Sequence, residues 1–418
     1  MQTRLFRSIP SRARSDRAAL TLTLFGFIAA LLMYCSYEIA IREQLTPSHL
    51  LRDNIVKSSL YYGATLLQCV LITTAGVLAF VSTDFRQIIR GYLLRFLLLL
   101  GAAMLMTARG YTLPDLLSTK LVDINGPFPF VVSFLAFVGA PRRNWTFIDK
   151  TMLVLSMLFS IMALIGVASL GTFTREEGVI TLGDPLNMLF FPASWTALKQ
   201  YPSSSWIGRV RFVPILVYSV GSLFTQTRLN FIMLFALAGV YAYLQYRRRA
   251  LQAFGWIATV AFLLWASLFS FVFLRDTRVI DRVDSVAAAF SSRLDEDTRT
   301  GQLRAFFEEV PLSDLALGRG SFARWNWNGM AWGGADLGYL SLLFYGGIPL
   351  LVGYVATHVA PSLSVLRKGV DTVQLTAAGV VFLWGVRMLS SSFPDKELSY
   401  YCVVLCVGAC ISKESAPV

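Results

Sequence analysis

Four arginines are this chain's best candidates for chemistry: Arg228, Arg304, Arg319 and Arg387. A guanidinium stays protonated at any physiological pH and offers a planar fork of donors that matches phosphate oxygens. Arg387 lies in TVQLTAAGVVFLWGVRMLSSS. A charge in so apolar a stretch faces a cavity or a partner, or else snorkels to an interface. Arg228, in SLFTQTRLNFIML, sits in a tight turn between two apolar stretches, where it serves as an anion ligand or an interfacial anchor. Arg304 and Glu308 are four residues apart in TRTGQLRAFFEEV, which reads as a short amphipathic helix. That spacing makes either a surface ion pair or an Arg304 turned toward phosphate. Arg319 stands between Gly318 and Gly320, which permit close backbone approach or positive φ. Trp325, Trp327 and Trp332 follow; indoles stack on sugar rings or lie in an interfacial aromatic belt. Asp336 opens the next apolar stretch, as a first-turn acid or as the group that orients or deprotonates a hydroxyl, with Glu308 the substitute for that task.

Most of these residues fall in one place. Residues 275–334 form the longest polar segment of a chain that is 55% hydrophobic and only 15% charged, with mean hydropathy +0.59. That composition belongs to an integral membrane protein. The net charge of +12 does not point to nucleic acid, because no basic domain stands outside the apolar stretches. Apolar stretches at 19–40, 60–81, 92–108, 126–140, 151–171, 180–198, 210–226, 229–246, 251–274, 335–357, 372–391 and 399–412 predict about twelve transmembrane helices. The stretch at 180–198 is the weakest of them, broken by Pro185 and Pro192. Keeping it puts 19 Lys and Arg in the predicted cytoplasmic segments and 8 in the short outer loops, as the positive-inside rule requires. The expected fold is therefore all-α, with cytoplasmic N- and C-termini and one long periplasmic loop between helices 9 and 10. It divides the chain into 1–274, 275–334 and 335–418. The basic start and full-length first span read as an uncleaved helix.

Cys35, Cys69, Cys402, Cys406 and Cys410 all fall in apolar stretches, where small-residue packing explains them. His49 and His358 pair with no evident site. No P-loop, dinucleotide fingerprint, HExxH or nucleophile elbow occurs, so neither a metal nor a cofactor is expected.

TQTRLNFIMLFALAGVYAYL resembles the "SR" helix start of the O-antigen polymerase and O-antigen ligase superfamily. GDPLNMLFFPASWTAL is similar to a segment that those proteins carry one or two helices earlier, and LGRGSF…DLGYLSLLFYGGIPLL resembles the exit of their long loop. Polymerases of the family carry Arg-x10-Gly or Arg-x15-Gly spacings, and here fifteen residues separate Arg304 from Gly320 and ten separate Arg228 from Gly239. Ligases carry a His near the loop's end, where this chain has Asp336. The resemblance implies a metal-independent, inverting glycosyltransferase of the inner membrane. It would join oligosaccharide repeat units carried on undecaprenyl diphosphate, as donor and as acceptor, making O-antigen, capsule or exopolysaccharide beside a flippase and a chain-length regulator. Arg228, Arg304, Arg319 and Arg387 would hold the diphosphate, Asp336, Arg304 and Glu308 would act at the reacting groups, and Trp325, Trp327 and Trp332 would contact sugar. A ligase-like transferase to lipid or protein, and a transporter of lipid-linked sugars, are the competing readings.

Overall fold

The computed structural model describes residues 9–44, 59–110, 127–169, 175–202, 204–225, 228–246, 298–327, 329–332, 337–368, 371–389 and 398–413. The predicted ninth span, 251–274, and Asp336 lie outside them.

Hydrocarbon supplies no hydrogen-bond partners, so long apolar stretches satisfy their own backbone as helices. The longer described helices are α1 (Ile9–Gln44), α2 (Ser59–Ser82), α3 (Tyr92–Gly110), α4 (Phe128–Gly139), α5 (Trp145–Ala168), α6 (Arg175–Leu198), α7 (Val213–Thr225) and α8 (Arg228–Tyr246). Two short helices, α9 (Thr298–Glu309) and α10 (Leu312–Leu317), belong to the polar segment. They precede α11 (Gly338–Tyr354), α12 (Ala360–Lys368), α13 (Thr372–Arg387) and α14 (Leu398–Ile411). Among the described residues, six helical stretches are long and apolar enough to cross a membrane by length and composition. Large apolar side chains such as Leu66, Val81, Leu94, Met104 and Phe235 stand exposed on the outside, as a lipid-facing surface requires. Hydroxyls inside the helices turn back onto their own carbonyls, as Thr65 does to Tyr61, Ser160 to Ser156 and Ser222 to Tyr218. The architecture is all-α and of the membrane-spanning kind.

The centre of the bundle is α14, every residue of which is buried. Its Gly408 lies against Ala136 and Gly139 of α4, and a Cβ at either glycine would strike the facing backbone. Glycine is required there because the two backbones touch. Cys402, Cys406 and Cys410 are buried free thiols on the same helix. The doubtful stretch 180–198 belongs to α6, which continues through Pro185 and Pro192 and is almost wholly buried from 185 to 198. Neighbouring helices make such prolines tolerable.

Two features depart from the sequence reading. The polar segment holds a short antiparallel hairpin, β1 (Trp325–Trp327) and β2 (Met330–Trp332), with Trp325 opposite Trp332. Gly329, at φ +80°, makes the turn. The stretch 335–357 is also not a straight span. Tyr339 and Val359 are twenty residues apart, about 30 Å along a straight helix. Yet the Tyr339 hydroxyl bonds the Gly385 carbonyl, and Val359 packs where a Gly385 Cβ would sit. The break is Gly347, whose φ +70° and ψ −167° only glycine adopts readily. Two half-helices therefore meet at Gly347 and fold back on one another.

Candidate functional site

Arg387 is the last residue of α13, where a cation is favoured by the helix dipole, and it is 8% exposed. Its guanidinium lies 5.5 Å from the centre of the Trp384 ring and 5.7 Å from that of Phe191. Cation–π contact of this kind strengthens when water is excluded. Asn187 and Phe190 from α6, Tyr218 from α7, and Leu229, Asn230 and Met233 from α8 complete the wall of a small cavity beside Arg387. Its volume, about 10 Å³, is room for about one water. The Asn230 amide donates to Thr225 Oγ1 at 3.1 Å, tying the start of α8 to the end of α7.

Three stretches that the sequence singled out meet here. Arg228 begins α8, within one turn of the cavity residues Leu229 and Asn230. The exit of the polar segment joins them. The Tyr339 backbone N–H donates to the Met388 carbonyl at 3.4 Å, and its hydroxyl to Gly385 at 3.1 Å. Both carbonyls lie at the end of α13, where helix acceptors lack partners in their own helix. Asp336, three residues before Tyr339, is outside the described residues. The start of α8 and one buried guanidinium are thus gathered at one end of the bundle, an arrangement suited to an anion.

The remaining candidates are placed elsewhere. Arg304 and Glu308 form an ion pair at 3.0 Å on the solvent side of α9, with 82% and 67% of their side chains exposed. Neither lines the Arg387 cavity. Arg319 pairs with Asp314 at 3.0 Å and lies over the Phe344 ring, 5.7 Å from its centre. Its backbone carries the larger role. The N–H groups of Arg319 and Gly320 donate to the Phe344 and Tyr345 carbonyls at 2.8 Å, capping the first half of α11 just before the Gly347 break. Ser321 N–H donates to Met106 in α3 at 3.1 Å. Gly318 and Gly320 have positive φ, and a Cβ on Gly320 would come within 2.7 Å of Gly110 N, so both glycines are needed. Trp325 is 2% exposed and packs edge-on against Phe306, which packs in turn on Phe344. It is a core residue that anchors the polar segment, and its ring is closed to a sugar. The backbones of Trp327 and Trp332 lie in β1 and β2.

Sequence reasoning missed two clusters. His358, which seemed to have no partner, is buried and hydrogen-bonded to Ser133 and Tyr400. The signal was its position as the lone imidazole in an apolar helix. At the opposite end of the bundle Asp149 accepts from Trp195 Nε1 at 2.8 Å and Tyr201 OH at 2.7 Å, and pairs with Lys199 at 2.5 Å. Burial raises the Tyr201 phenol well above its usual range, and its bond to Asp149 raises it further, so it stays a donor. Near the far end of α13, a cavity of about 440 Å³ is lined by Asp16, Asp84, Arg142 and Arg143 among others. Arg142 pairs with Asp371 and Arg143 with Asp16. No group of three or more His, Cys, Asp or Glu side chains that could hold a metal ion occurs among the described residues.

No family model matches this chain, and neither a curated protein nor a solved structure is similar to it. The fold and the site define an all-α protein of the membrane-spanning kind with a buried cationic recess at one end.

Proposed function

We propose that this protein is a membrane glycosyltransferase that joins undecaprenyl-diphosphate-linked repeat units at the periplasmic face of the bacterial inner membrane. Twelve transmembrane helices with cytoplasmic termini and a long periplasmic loop complete the reading. One observation carries it: the buried Arg387 and the start of α8, at Leu229 and Asn230, line one recess, and Tyr339 at the exit of the polar segment bonds the end of α13 beside it. Diphosphate is already a good leaving group. The enzyme needs mainly to hold it, balance its growing charge and present an acceptor hydroxyl to the anomeric carbon. Fixed donors in a desolvated site do the first two, and each is worth about 3 kcal/mol of barrier. Positioning supplies much of the rest. Arg387 and Arg228 hold the diphosphate, and Asp336 orients the hydroxyl. Arg304 and Glu308, on the exposed side of α9, meet the growing sugar chain instead.

The test is the surface glycan of a strain lacking this chain, complemented with wild type or with Arg387→Ala. Long chains with wild type and single repeat units with Arg387→Ala are expected. Long chains that stay on the lipid carrier would make the enzyme a ligase. Repeat units that never reach the outer face would make it a transporter.

A further inference from the structure

Behind Arg387 lies a buried cluster that the proposed reaction does not use. Residues Val355–Val359 form a π-turn, in which Ala360 N–H reaches back to the Val355 carbonyl. Such turns recur at functional sites. This one continues the second half of α11 and carries His358 into the bundle, 1% exposed. The imidazole stacks on Tyr354, with ring centres 4.3 Å apart and planes 19° from parallel. His358 Nδ1 lies 3.3 Å from the Tyr354 carbonyl oxygen. A carbonyl can only accept, so that nitrogen carries the proton, and Nε2 accepts from Ser133 or Tyr400, whose hydroxyls lie at 3.1 and 3.2 Å. Both ring nitrogens are thereby committed, and the imidazole is a fixed platform.

The Tyr354 hydroxyl receives the Trp384 indole N–H at 2.7 Å. Trp384 in turn presents its ring to the Arg387 guanidinium. An indole can turn about its outer side-chain bond, and the pull on a cation depends on which part of the ring faces it. A hydrogen bond to the indole N–H selects one orientation.

We propose that Tyr354 is a positioning residue for Arg387. His358 holds the phenol, the phenol fixes the Trp384 indole, and the indole sets the guanidinium toward the recess. This role rests on the reading of Arg387 as a diphosphate ligand. Tyr354→Phe keeps the ring stacked on His358 and removes only the hydroxyl. The buried indole N–H then lacks its acceptor, which favours another orientation of Trp384.

The experiment measures binding of farnesyl diphosphate to the full chain in lipid nanodiscs. Wild type, Tyr354→Phe, Arg387→Ala and the double variant are compared, with thermal unfolding of each. Tyr354→Phe is expected to weaken binding about tenfold. On the Arg387→Ala background it is expected to cost nothing more, because the two residues act as one unit. An unchanged unfolding temperature in Tyr354→Phe excludes general loosening of the fold as the cause. Equal losses on both backgrounds, or no loss in Tyr354→Phe, overturn the proposal. If Arg387→Ala binds as wild type does, or wild type binds no probe, the diphosphate reading itself fails and takes this role with it.

Discussion

Tyr339 and Val359 both rest on Gly385, although twenty residues of α11 and its π-turn separate them. The contact exists because the chain reverses at Gly347. One half-helix runs from Gly338 to the break, and the other leads back to the π-turn. The backbone of Arg319 and Gly320 seals the break by bonding carbonyls that the reversal leaves open. The polar segment and the first half of α11 are therefore one mechanical unit, and its lower end touches the end of α13 beside Arg387.

That unit depends on glycine. A Cβ at Gly347 would lie 2.5 Å from the Leu317 carbonyl carbon and 2.6 Å from Gly318 N, at a backbone angle that disfavours side chains. Gly347→Ala is expected to cost about 3 kcal/mol or more. Gly239, which ends the ten-residue spacing from Arg228, has open space around it inside α8. Gly239→Ala is expected to be neutral or to stabilise by up to about 1 kcal/mol. Unfolding temperatures in detergent compare the two, and a Gly347→Ala protein as stable as wild type would refute the fold-back.

Arg304→Ala separates stability from function in the polar segment. Its pair with Glu308 is exposed, so the change is expected to shift stability by less than about 0.5 kcal/mol. Any loss of glycan chain length in this variant, at unchanged unfolding temperature, would assign Arg304 a role with the sugar chain. Normal chains would leave it a surface pair.

Trp325→Ala is expected to lose about 3–5 kcal/mol, because a buried indole leaves a cavity beside Phe306. Limited proteolysis within the polar segment is the direct measurement. A stable but inactive variant would restore the sugar-contact role.

Asp149 predicts an ordered series. Asp149→Asn keeps an acceptor for Trp195 and Tyr201 and loses the pairing with Lys199, for a cost of about 1 kcal/mol. Asp149→Ala leaves both donors without an acceptor and is expected to cost about 2–4 kcal/mol. Thermal unfolding of the two variants reads the order, and equal effects would show that the hydrogen bonds contribute little.

Much of this fold was legible because membrane helices announce themselves by length and apolarity. The predicted stretches within the described residues each fall on a helix, including the doubtful one with Pro185 and Pro192. The reversal at Gly347 was written as Tyr-Gly-Gly-Ile-Pro, a turn signal, but a reading by average apolarity passes over it. Arg387 was found because charge in an apolar stretch is costly. The residues that share its cavity, Asn187, Tyr218 and Asn230, were not, since only folding brings three separate helices to one arginine. The burial of Trp325 and the exposed pairing of Arg304 were not legible for a related reason. The polar segment's helices are short and weakly amphipathic, and their buried side is set by α11 and by Trp325 of β1.

The wholly buried α14 also bears on how the protein is made. It follows every other described helix in the chain, yet its backbone touches that of α4, more than two hundred residues earlier. While synthesis proceeds, α4 presents Gly139 to a slot with no occupant. The earlier helices must wait in the membrane, with that seam open to lipid or to a chaperone, until α14 arrives. A nascent chain stalled before Leu398 should therefore be a preferred target for quality-control proteolysis, even with its recess residues already translated.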